Sequence, residues 1–112
     1  SQSFGETIAA VVDELKKVQA GVDKTASELA IQRLTQEIEE LDQQYAVLLN
    51  QRVLVEAGGI KTGGDLLKAV KAGYDPWELP GIEQLTEQMD RITKLSRKKN
   101  AELEKHRQIV SL

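Results

Sequence analysis

At 112 residues, with 40% hydrophobic and 29% charged residues and a net charge of −3, the chain has room for one domain of ordinary water-exposed make-up. It contains no cysteine, which excludes a disulfide framework and a thiolate metal site. No apolar run approaches the roughly 20 residues that a membrane-spanning helix needs, and no charged-then-apolar signal pattern is visible. An intracellular, cytoplasmic protein is the expectation. The chain opens on Ser1 rather than Met, which predicts a processed product or a piece of something longer. Aromatic residues are scarce (Phe4, Tyr45, Tyr74 and Trp77) while Leu, Ile, Ala, Glu, Gln and Lys abound, a balance that favours helices over a sheet.

The first element is a helix over about 3–20. Ser3 and Glu6 have capping-box spacing, in which each side chain satisfies a backbone N–H left orphaned at a helix start. Phe4, Ile8, Val11, Leu15 and Val18 advance by alternating fours and threes and so form one stripe, with Asp13, Lys16 and Lys17 away from it. Gly21 is the expected cap or kink. Thr25 and Glu28 predict a second capping box and a helix over about 25–56. Its stripe, Ile31, Leu34, Ile38, Leu41, Tyr45 and Leu48, is out of phase with the first, so a break or bend between the two is expected.

Residues 56–81 hold six of the eight glycines and both prolines. A nucleotide-binding loop is set aside, because Ile60 rather than Gly precedes Lys61-Thr62 and the segment before it reads as helix rather than strand. Instead Gly58 and Gly59 end the second helix, and Thr62 with Asp65 opens a short helix over about 65–72 that Gly73 stops. Asp75-Pro76 starts a turn at 75–79. Leu66, Leu67, Val70, Tyr74, Trp77 and Leu79 are the expected packing face of this linker, laid as a cap over the hairpin end.

A last helix over about 81–110 carries Ile82, Leu85, Met89 and Ile92, with Ser96, Lys99, Leu103, His106 and Val110 continuing the register. If the chain reverses across the linker, facing residue numbers share a sum of about 137, which pairs Leu48 with Met89 and Leu34 with Leu103. The same alignment sets Glu37, Glu39, Glu40 and Asp42 beside Arg97, Lys98 and Lys99, an independent electrostatic match. The expected fold is therefore all-α: an antiparallel, coiled-coil-like helical hairpin with an additional N-terminal amphipathic helix and a short helical linker. Together they would form a three-helix bundle or an oligomeric bundle in a single helical domain, 1–112. Leu29, Val47, Leu49, Val53, Leu54, Leu95 and Ile109 widen the apolar surface beyond a two-stranded seam and favour packing on something further.

Function is expected to reside in protein–protein contact, as a scaffold or adaptor subunit with a protein partner or self-association. Phe4, Ile8, Val11, Leu15 and Val18 form the contact stripe, and Tyr74 and Trp77 are interface aromatics; intramolecular burial is the competing reading for both sets. The alternative is nucleic-acid binding through Lys94, Arg97, Lys98, Lys99, Lys105 and Arg107, against which stand the acidic net charge and the interrupting Glu102 and Glu104. A third reading is a holdase that shields an amphipathic segment of its partner. No cofactor and no small-molecule substrate are expected. His106 with Glu102 supplies two donors where a metal needs three or four, and neither a nucleophile elbow nor an isolated carboxylate pair is present, so no enzymatic activity is expected.

Overall fold

The structure, a computed structural model, describes residues 3–21 and 23–112, with side chains for 3–16 and 23–112. Four helices follow one another: α1 (Phe4–Gly21), α2 (Thr25–Glu56), α3 (Gly63–Ala72) and α4 (Ile82–Ser111). Among the described residues there is no strand. α2 and α4 lie against each other as an antiparallel hairpin, and the molecule is a thin rod, 84 × 23 × 16 Å.

The hairpin exists because two long apolar stripes face each other. Leu34, Leu41, Leu85, Met89 and Leu103 are buried along the seam, and full burial of each such side chain is worth about 1.5–3 kcal/mol. Polar contacts fix the register. Lys99 Nζ donates to Glu37 Oε2 at 2.7 Å in mid-hairpin, and Ser27 Oγ sits 3.0 Å from His106 Nδ1 near the open end. The first pairing lies one residue from the expected alignment and the second four. Among the described residues the broader match of acids to bases narrows to Glu37 and Lys99; Arg97 and Lys98 are exposed and have no ion pair there.

Turn chemistry explains where the helices stop. Gly58 and Gly59 both take φ near +90°, and their N–H groups return to the carbonyls of Val55 and Leu54 at 3.0 and 2.9 Å. These are the crossed bonds of a left-handed helix terminus, reached at little cost only without a Cβ. Thr62 and Asp65 form the reciprocal capping box of α3, and Gly73, at φ 85°, closes it. Asp75 Oδ1 then accepts from Trp77 N at 2.9 Å in a side-chain-closed turn.

Two expectations need correction. The capping box of Thr25 and Glu28 does not form: Lys24 already has helical φ/ψ, so Thr25 falls inside the first turn, and Asp23 Oδ1 accepts from Thr25 N at 2.9 Å instead. The linker also packs differently. α3 rests on α2 alone rather than across both arms, and its contact is made by Ala69, fully buried, while Leu66, Leu67, Val70 and Trp77 are exposed. The small side chain at Ala69 lets the two backbones approach, which places the large neighbours on the outer face.

α1 makes no contact with α2, α3 or α4 among the described residues, so no three-helix bundle forms within the chain. Its 18 residues span about 27 Å and the 32 residues of α2 about 48 Å at 1.5 Å per residue. The 84 Å length thus has α1 prolonging the hairpin beyond its open end.

Candidate interaction surface

α1 starts where Ser3 and Glu6 bond reciprocally: Ser3 N donates to Glu6 Oε2 at 3.2 Å and Glu6 N to Ser3 Oγ at 3.3 Å. From that start Phe4, Ile8, Val11 and Leu15 run along one side of the helix, and all four are exposed, Phe4 by 82%. Val18 lies outside the described side chains. A stripe of this kind on a helix that, among the described residues, packs on no other helix is an unsatisfied apolar surface.

The two linker aromatics sit at the opposite end of the rod and behave differently from each other. Tyr74 is half-buried and its hydroxyl donates to Asn50 Oδ1 at 3.0 Å. Loss of hydration, and secondarily the negative charge of Asp65, hold the phenol above its ordinary pKa. Trp77 is 75% exposed. The structure therefore does not bring Tyr74 and Trp77 together with the α1 stripe, and they form no joint site within one chain.

Along α4, Lys94, Arg97, Lys98, Lys105 and Arg107 are exposed and have no carboxylate partner among the described residues. Lys99 is engaged with Glu37, whose carboxyl falls below its ordinary pKa chiefly through that hydrogen bond, with Arg33 at 3.3 Å adding to the effect. Asp65 is also lowered, by the backbone N–H groups of Lys61 and Thr62 that its carboxylate accepts. Its role is to cap a helix. Among the described residues no three His, Asp or Glu converge as a metal site, and no helix is long and apolar enough to cross a membrane.

A surface that the sequence marked only in fragments is an open groove of about 570 Å³ on the closed half of the hairpin. It is lined by Val47, Leu48 and Ile92 with Tyr74 and Pro80, and rimmed by Gln44, Gln51, Gln88 and Arg91. Val47 was visible as an apolar residue beside the main stripe. Its neighbours from α4 and the linker could be joined to it only once the hairpin register was known. A second exposed apolar strip, Ala46, Leu49 and Val53, borders Lys68 of α3 on another side of α2.

No family model, curated protein or solved structure matches this chain. Functional inference therefore rests on these surfaces alone.

Proposed function

We propose that the chain is a non-enzymatic helical scaffold or adaptor subunit that works by helix-on-helix recognition within a larger assembly. The observation that carries this reading is the α1 stripe: a capped helix presents Phe4, Ile8, Val11 and Leu15 to solvent and, among the described residues, packs on none of the other three helices. Burying such a stripe against another helix stabilises both by roughly 25 cal/mol per Å² of apolar surface removed from water. The stripe lies beyond the open end of the hairpin. An intracellular setting belongs to this reading and rests on composition alone.

The test is Ile8→Glu combined with Leu15→Glu. Complexes that the wild-type chain forms, homomeric or heteromeric, are expected to disperse in sedimentation and co-purification. Complexes unchanged by both substitutions would remove α1 as the contact element.

The exposed cations of α4 that have no carboxylate partner among the described residues favour one second reading, contact with nucleic-acid phosphates. It requires binding that weakens steeply with salt and is lost when Arg97, Lys98 and Lys99 are changed to Ala. Binding indifferent to both would sink it.

A further inference from the structure

We propose that the occupant of the α1 stripe is the groove at Val47, Leu48 and Ile92 of a second copy, each copy giving its α1 to the other in a closed, two-fold antiparallel dimer. This rests on the reading of α1 as a contact helix and goes beyond it by naming the partner and the docking surface.

Three observations lead there. The first is area. A compact monomer of 12.4 kDa exposes about 6,100 Å². This chain exposes 8255 Å², roughly 2,100 Å² more than that compact monomer. Covering half of the excess on each of two copies gives an interface near the upper end of the standard range of about 1,200–2,000 Å².

The second is reach. Gly21 and Thr25 are joined by only three residues, 22–24. If α1 doubled back along its own α2, Ile8 would come about 20 Å along the hairpin, whereas residue 44, where the groove begins, lies about 28 Å from the start of α2. The stretch that α1 could reach in its own chain carries Glu37 paired with Lys99 and Arg33. An apolar stripe laid there would strip water from charged groups. Phe4, about 26 Å along, would come only to the edge of the groove, while Val47 lies about 33 Å from the start of α2, so the Ile8–Leu15 part of the stripe falls short of the groove of its own chain.

The third is fit between copies. α1 prolongs the rod beyond the open end, so two rods set antiparallel bring the α1 of each alongside the other's closed half. Each copy repeats the same contact, so the arrangement closes at two rather than growing into a filament.

The chain contains no cysteine, which permits clean labelling. Sedimentation equilibrium is expected to show a species of twice 12.4 kDa. Spin labels placed off the contact, on Asp13→Cys in one chain and Glu87→Cys in another, are expected to lie closer, by dipolar spectroscopy of the mixed sample, than labels on two copies of Asp13→Cys. A dimer in which the Asp13 labels are the closer pair overturns groove docking and leaves α1 as the contact element. A concentration-independent monomer overturns the inference outright. The scaffold reading is then decided separately by the Ile8→Glu, Leu15→Glu chain and its heteromeric complexes.

Discussion

Leu15 in α1 and Leu34 in α2 hold the same kind of position, an apolar residue on a three-four stripe, yet the first is 60% exposed and the second fully buried. The helices do not differ in apolar rhythm. They differ in what the connection beyond them does. After α2, the double-glycine terminus and the capped α3 turn the chain back, so that a second stripe arrives in register. Three residues separate α1 from a hairpin whose seam α4 already fills and whose nearby flank is charged. Periodicity therefore specifies that a helix has an apolar face; topology decides whether that face is consumed at home or left for another molecule.

The largest expected effect tests this contrast at its two extremes. Leu34→Ala should lower unfolding free energy by about 2–5 kcal/mol in urea denaturation. Val11→Ala, measured where the chain is monomeric, should stay within about 0.5 kcal/mol. Similar losses at the two sites would mean that α1 is packed in the monomer after all.

Two glycines sharpen the comparison next. Gly73→Ala should cost about 1–2 kcal/mol, because an L side chain is strained at φ 85° even though nothing lies within 4 Å of the added methyl. Gly5→Ala, also with open space around it, should instead raise α1 helicity measured by circular dichroism. A smaller effect is expected at the open end of the seam. Ser27 is buried, and Ser27→Ala should cost about 1 kcal/mol by leaving His106 Nδ1 without its partner.

The smallest effect is electrostatic and depends on pH. Glu37 is lowered in the folded chain, so its contribution is present above the ordinary carboxylate pKa and disappears as pH falls through the folded value. In an NMR titration its carboxyl should titrate below the ordinary glutamate range, and Lys99→Met should move it back up. An unmoved midpoint would show that the hairpin's one cross-helix ion pair does not form in solution.

Much of the fold is legible from residue spacing, because the relevant physics is local or periodic. Ser3 with Glu6, Thr62 with Asp65, and Gly73 announce their caps through side chains that bond within a turn of themselves. The α2 and α4 stripes announce a seam because a helix pair needs a matched three-four rhythm. Burial on α3 was illegible for the opposite reason. Large apolar residues were expected inside, but close backbone approach selects the small Ala69 and turns Leu67 and Val70 outward. Lys24 likewise carries no sign that it will enter the helix and displace Thr25 as cap. The groove of Val47, Leu48 and Ile92 joins residues on two helices and becomes a surface only after their register is set.

The hairpin's long-range side-chain bonds are graded in sequence separation: 24 residues between Asn50 and Tyr74, 62 between Glu37 and Lys99, 79 between Ser27 and His106. Each rung closes a longer loop than the one before, but once the inner rung is made only a short added segment has to be ordered for the next. Folding should therefore begin at the glycine turns, whose caps need no distant partner, and zip outward towards the arms' free ends. Amide protons near Leu54 and Leu85 should outlast those around Ser27 and Val110 in exchange, so the arm that carries α1 springs from the part of the rod that opens first.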